Sequence, residues 1–377
     1  MRRMKSARLL PIARPARRAS GARPIPIAVA LQGGGALGAF SWGVLDRLLD
    51  ESRLHIAVVS GASAGAMNAA MLVQGLASGG PAEAKRLLAA FWRRVALAAG
   101  HPDFGETGWL ASFTKLFDSV STAVQQAAHA LPSIRQPALQ HNPLRAVLDE
   151  LLDVSAFGTD GAPTLIVSAT RVRTGEARLF QDREVTADVL LASACLPQLF
   201  PAVEIDGEGY WDGGYVANPP VRTLIEAGAP ADVLIVSTRP LERPEMPIGA
   251  ADIQARSAEV AFGSALRQEL RTLAVAQRLV SELPSPPPAD SGLARLRDAR
   301  LHLIGAEETL RALPMHSAMD THWSFLKRLH DLGHHAADEW LSENAAAIGV
   351  RPTLDLGRFV GPPVLLPDAG SVPSRTR

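Results

Sequence analysis

Cysteine is almost missing from this chain: Cys195 is the only one in 377 residues. An intramolecular disulfide framework is therefore excluded, and a reducing, cytoplasmic setting is the expectation. Flanked by Ala194 and Leu196, that thiol reads as a buried structural residue rather than a nucleophile. Net charge is missing too, since Lys plus Arg and Asp plus Glu both number 38. That balance argues against nucleic acid as a partner. No apolar run approaches the ~20 residues that span a bilayer. Residues 1–26 are rich in arginine and free of acids, with only Leu9-Leu10-Pro11-Ile12-Ala13 as an apolar patch. A signal peptide needs an apolar stretch of about 7–15 residues, so secretion by that route is not expected. A disordered basic tail is the reading for 1–26, with a targeting segment or contact with anionic lipid as the alternatives.

What is present is enough apolar material for a sizeable core, at 47% hydrophobic and 20% charged residues. The informative stretch is 25–71. An apolar run over 25–31, bounded by Pro and Gly, reads as a buried strand. It ends in Gly33-Gly34-Gly35-Ala36-Leu37-Gly38, after which Leu37, Phe40, Val44 and Leu48 take up helical spacing. A second short strand over 56–59 and a small-residue helix over 64–76 follow. Strand, crossover helix and strand imply a parallel pair and hence an α/β sheet.

Further strands are expected over 164–170, 177–180, 200–205, 209–211 and 232–237, with a late one over 302–304. Helices are expected over 82–99, 143–152 and 188–194. Two amphipathic helices are expected over 254–283 and 324–344. The first carries Leu266, Leu270, Leu273 and Leu279 on one side, which suits packing on the sheet or docking on a membrane surface. Phe104, Trp109, Phe113, Leu116 and Phe117 mark a helical insertion over about 100–142, and 349–377 reads as an extended or disordered tail. The domain reading is an α/β unit over 27–250, followed by a helical C-terminal extension over 251–348 that packs on it.

Within this frame, Gly61-Ala62-Ser63-Ala64-Gly65 has the G-x-S-x-G form, follows a strand and opens a helix. Ser63 is read as a nucleophile, against the alternative of a serine that caps the helix. The glycine run has two readings as well. A dinucleotide site would want an acidic residue at the end of the second strand, where Val58-Val59-Ser60 stands, and a P-loop would want Lys-Ser/Thr. Consecutive glycines can instead aim backbone N–H groups into one concavity, with a helix N-terminus behind them. The serine decides for the oxyanion hole, with Gly33, Gly34 and Gly35 as its residues.

A serine needs a base. None of the histidines (His55, His101, His129, His141, His302, His316, His322, His330, His334 and His335) sits in a glycine-bounded turn after a strand. Asp212 does: it ends Tyr210-Trp211 and precedes Gly213-Gly214. An ordinary turn aspartate is the alternative.

In this order the three features resemble the patatin-like phospholipase family. The residues are the run Gly33 to Gly38, the serine turn Gly61 to Gly65, and Asp212-Gly213-Gly214. Ala192-Ser193-Ala194-Cys195-Leu196-Pro197, with Phe200-Pro201 after it, also looks like the segment that precedes the aspartate in that family. The resemblance implies a three-layer α/β/α fold with a mainly parallel central sheet. It also implies a Ser63–Asp212 dyad that works without histidine on lipid or other acyl esters, with Gly34 and Gly35, joined by Gly33 or Ala64, holding the oxyanion. Gly38, Gly61, Gly65, Gly213 and Gly214 are the supporting motif positions. No cofactor and no metal are expected. The insertion would line an acyl pocket or form a lid. A transacylase, an intracellular polyester depolymerase and a silent lipid-binding protein stay open as alternatives.

Overall fold

The computed structural model describes residues 23–98, 142–313 and 315–360. The insertion around Trp109 and the basic stretch over 1–22 lie outside the described residues. Five parallel strands form the centre of the sheet, in the order β3 (Thr164–Arg171), β2 (Leu54–Gly61), β1 (Ile25–Leu31), β7 (Asp232–Val236) and β8 (Arg300–Ile304). Three antiparallel strands gather on β3: β4 (Ala177–Gln181), β6 (Glu208–Asp212) and, paired to β6, β5 (Val203–Ile205).

Side chains alternate across this sheet as the period of two requires. Ile27, Val29 and Leu31 of β1 face one apolar layer, and Ala28 and Ala30 face the other. The first layer is built by α1 (Gly38–Leu48), α2 (Ala64–Ala98), α3 (Leu144–Leu151), α4 (Ala187–Ser193) and α9 (Trp323–Asn344). The opposite layer holds α5 (Val221–Ala227), α6 (Ala250–Ser281) and α7 (Gly292–Asp298). The three-layer α/β/α architecture follows from this two-sided burial.

The two expected helices over 64–76 and 82–99 are both present within α2 and meet at Gly80, which leaves helical geometry (φ 75°, ψ −160°) beside Pro81. In α6, Leu266, Leu270 and Leu273 are buried against the sheet, whereas Leu279 is exposed. This helix packs on the sheet along most of its apolar stripe. No helix among the described residues is long and apolar enough to cross a membrane.

The C-terminal part is wired into the sheet rather than set beside it. It supplies β8, and α9 crosses α1 so closely that a Cβ on Gly333 would lie 2.0 Å from the Phe40 carbonyl oxygen. His330 of α9 packs on Trp42 with the rings tilted by 46° and meets Asp46 of α1 at 2.9 Å. α8 (Glu307–Ala312) and a short turn over Met315–Met319 connect β8 to α9. Beyond α9, the segment over 349–360 is anchored: the N–H groups of Thr353 and Leu354 both donate to the Leu301 carbonyl.

Asp232, at the start of β7, ties these pieces together. Its carboxylate accepts from Arg300 through Nε at 3.0 Å and Nη2 at 2.7 Å, and from the Gly349 N–H at 2.8 Å. His302 lies 3.1 Å away and bonds Thr353 with its other ring nitrogen. Burial pushes the Asp232 carboxyl up, but the hydrogen bonds from His302, Arg300 and Gly349 outweigh it and hold the group well below the ordinary range.

A carboxylate depressed on folding stabilises the protein above its unfolded pKa and loses that contribution as pH falls towards its folded one. Asp232→Asn should therefore cost about 1–2 kcal/mol at pH 7, because it removes the charge that pairs with the partly exposed Arg300. Urea unfolding at a series of pH values would show the difference from the native protein narrowing below pH ~4.

Candidate active site

β3 acts as the ruler of the site. Its Ile166 pairs with both Ser60 of β2 and Gln181 of β4, and its Thr170 pairs with both Ala177 of β4 and Trp211 of β6. A strand has two edges, so β2 and β6 share one of them and β4 takes the other. Along the shared edge β2 runs parallel to β3 and ends with Gly61 opposite Val167, while β6 runs antiparallel and ends with Asp212 opposite Ala169. The carboxyl ends of two strands thus meet head-on at Ser168. The Ser168 hydroxyl donates to the Ala217 carbonyl at 2.8 Å and reaches the Gly61 carbonyl at 3.4 Å.

From the Gly61 end the chain turns sharply into α2. Ser63 holds a φ of +54°, in the left-handed region that non-glycine residues rarely enter. Gly65 allows the turn, since a Cβ there would lie 2.2 Å from the Leu31 carbonyl oxygen, and Gly61 is packed against Gly65 in the same way. The Ser63 N–H donates to Ser193 Oγ at 3.0 Å, and its carbonyl accepts from the Ala66 and Met67 N–H groups of α2. Its hydroxyl forms no capping bond among the described residues.

From the other end, Asp212 is held by its backbone: its N–H donates to the Cys195 carbonyl at 2.8 Å, and its carbonyl accepts from Thr170 Oγ1 at 2.7 Å. Oδ1 accepts from the Gly214 N–H at 2.7 Å, and Oδ2 is buried without a hydrogen-bond partner. No hydrogen bond from the Ser63 hydroxyl to either Asp212 oxygen is closed in this structure, although the hydroxyl is near enough to lower the carboxyl. Burial pushes the Asp212 carboxyl up to about 7, against the lowering effects of the Gly214 N–H, the Ser63 hydroxyl and the Arg239 charge. Gly213 leaves room for the Ser168 carbonyl, and Gly214 packs on Phe262.

The glycine turn lies between β1 and α1. The Gly33 N–H is committed to Asn218 Oδ1 at 2.7 Å, so it is not free to meet a substrate oxygen as the sequence reading expected. The Gly33 carbonyl accepts from Thr238 Oγ1 at 3.0 Å, and Gln32 Oε1 accepts from the Thr238 N–H at 3.0 Å. The N–H groups of Gly34 and Gly35 donate to nothing among the described residues. Gly35 has a φ of +60°, and a Cβ there would lie 2.3 Å from the Ala318 carbonyl oxygen, so the turn over Met315–Met319 closes over it. Gly38 opens α1 against Ala64 and Trp92.

Among the described residues no histidine bonds Ser63 or Asp212, and no group of three or more His, Cys, Asp or Glu could hold a metal ion. His101, His129 and His141 lie outside the described residues. Sequence reasoning missed Ser193, Asn218, Ser168, Thr170 and Thr238, which position the turns. Ser193 and Asn218 lie close to Cys195 and to Gly213-Gly214 in sequence, which was the available signal. The other three are ordinary strand or strand-end residues, without a motif.

The model of the family described as patatin-like phospholipase matches residues 29–225, just over half of the chain. Among solved structures the chain is similar to VipD from Legionella pneumophila, at 16% identity and a TM-score of 0.37, over 90% of this chain and 72% of that one. It is also similar to a chain of the heterodimeric ExoU–SpcU complex of the Pseudomonas aeruginosa type III secretion system, at 17% identity and a TM-score of 0.37. That match covers 86% of this chain and 53% of the other, so this chain spans about half of that neighbour's length. Comparison with curated proteins gave no match. The matched span runs from β1 through α5 and contains the glycine turn, Ser63 and Asp212. This chain belongs to the patatin-like phospholipase family.

Proposed function

We propose that the protein is a serine acyl hydrolase of lipid esters that uses a Ser63–Asp212 dyad. The observation that carries this reading is a serine in a left-handed turn where the ends of β2 and β6 meet, opposite a buried carboxyl raised to about 7. A carboxylate near pH 7 is a far better proton acceptor than one at the usual ~3.9.

Ser63 Oγ attacks the ester carbonyl carbon and passes its proton to Asp212 Oδ2, the carboxylate oxygen without another partner. The carbonyl oxygen becomes an oxyanion held by the N–H groups of Gly34 and Gly35, each contributing about 3–4 kcal/mol to the transition state. Collapse breaks the ester bond; the leaving alkoxide takes the proton from Asp212, and an acyl-serine remains. Water then gives its proton to Asp212 and attacks the acyl carbon. The free acid departs as Ser63 regains its proton. Gly33 serves this scheme by anchoring the turn to Asn218 rather than by donating.

The substrate surface also has a candidate contact. Met246, Ile248, Ile253 and Val260 are exposed apolar residues on the loop and first turns of α6 that lead to Phe262, which packs on Gly214. Their place beside the site suits contact with the lipid layer that carries the ester.

Wild-type protein should be labelled by a fluorophosphonate probe and should release fatty acid from long-chain esters, whereas Ser63→Ala should do neither while keeping its fold by circular dichroism. Asp212→Asn should lose turnover by at least about a thousandfold; full activity there would return the search to the histidines. In wild type, kcat/KM should rise with pH and level off above an apparent pKa of about 7, because the base must be ionised.

The same shift has the opposite sign for stability. A carboxyl raised on folding costs stability as pH climbs through the interval from its unfolded pKa to 7. Asp212→Asn should therefore melt at a higher temperature than wild type at pH 8, and at an equal one below pH ~4. Met246→Glu combined with Ile248→Glu should reduce co-sedimentation with phospholipid vesicles while leaving hydrolysis of a soluble short-chain ester unchanged.

A further inference from the structure

The loop that leaves β7 is part of the site's frame. Ser237 and Thr238 clamp Gln32 and Gly33, and the next residue is Arg239. Its Nε is buried and has no hydrogen-bond partner, and its guanidinium makes no hydrogen bond or ion pair among the described residues. Such an orphan is unusual, because a buried donor without a partner forfeits its hydration and gains nothing in return.

The surroundings offer no internal partner. Glu259 is the nearby buried carboxylate, and its two oxygens are already occupied. Arg243 Nε donates to them at 3.0 and 2.8 Å, and Arg256 Nη1 donates at 2.7 Å. Arg243 also donates to the Arg311 carbonyl. Two guanidinium groups thus hold one carboxylate and the third is left unpaired, next in sequence to Thr238, which bonds the Gly33 carbonyl where Gly33 packs on Ser63. A local excess of positive charge, with a free planar fork, therefore follows directly on the residue that holds the glycine turn against Ser63.

We propose that Arg239 forms an anion subsite beside Ser63, which takes the phosphate of the substrate's head group. The inference rests on the ester-hydrolase reading above and names the residue that would select substrate. A guanidinium fork matches two phosphate oxygens at once. The acyl carboxyl is not the group in question, since its oxygen belongs at the N–H groups of Gly34 and Gly35. Arg239 is left for an anion elsewhere on the same molecule, which in a phospholipid is the phosphate.

Lysophosphatidate and a monoacylglycerol of the same acyl chain differ by the phosphate alone. Their kcat/KM ratio, taken at pH 9 where Asp212 is ionised, removes any general effect of Arg239 on the base. Arg239→Met should lower this ratio about 10–100-fold, and Arg239→Lys should restore part of it. In calorimetric titration, sn-glycerol 3-phosphate should bind Ser63→Ala and fail to bind Ser63→Ala combined with Arg239→Met. An unchanged ratio overturns the subsite, even if inorganic phosphate binds, because it leaves the head group unread. If wild type hydrolyses neither ester, the ester-hydrolase reading has failed. The glycerol phosphate titration then decides the subsite alone, and equal binding by both variants overturns it.

Discussion

The site depends on how one edge of β3 is shared. β2 arrives parallel and stops at Gly61; β6 arrives antiparallel and stops at Asp212; the residue between their ends is Ser168. Because hydrogen-bond register is quantised, this arrangement sets the separation of the serine turn and the aspartate to within the flexibility of two strand ends. Ser63 and Asp212 are rigidly placed although roughly 150 residues of chain separate them, a distance in sequence that a flexible loop would have to close at an entropic cost. Ser193, Thr170 and Asn218 then fix the remaining freedom by taking up the backbone groups of Ser63, Asp212 and Gly33.

That frame explains the electrostatics. Meeting head-on inside the sheet leaves Asp212 almost without solvent, and desolvation raises its carboxyl more than the Gly214 N–H, the Ser63 hydroxyl and Arg239 lower it. The result works against stability at neutral pH, because a carboxyl raised on folding is held away from its preferred ionised state. Asp232 makes the contrast. It is also buried, yet three donors surround it, and it is held low as a structural anchor. Two aspartates at two ends of the sheet differ in behaviour because one has its oxygens satisfied and the other does not.

The C-terminal part belongs to the same argument. It contributes β8 to the sheet and lays α9 on α1, the helix that starts at the glycine turn. Ala318 then closes on Gly35. The glycine turn is therefore supported from behind by residues well beyond the span matched by the family model.

Most elements were legible in the sequence, because they rest on local patterns. The short apolar runs bounded by glycine and proline became β1, β2 and β7, and the three-to-four spacing of Leu266, Leu270 and Leu273 became the buried stripe of α6. Ser63, Asp212 and the glycine run were singled out by residue type and by position after a strand. Three things came only from tertiary structure. The Gly33 N–H proved to be occupied, because Asn218 arrives from a turn 185 residues later. Arg239 became an orphan, because Arg243 and Arg256 reach Glu259 instead. The raised carboxyl of Asp212 required the burial that two strand ends create together. Pattern determines which groups are offered to a site, since it acts within a few residues. Which of those groups stay free, and how charged they are, depends on neighbours that only the folded sheet brings into contact.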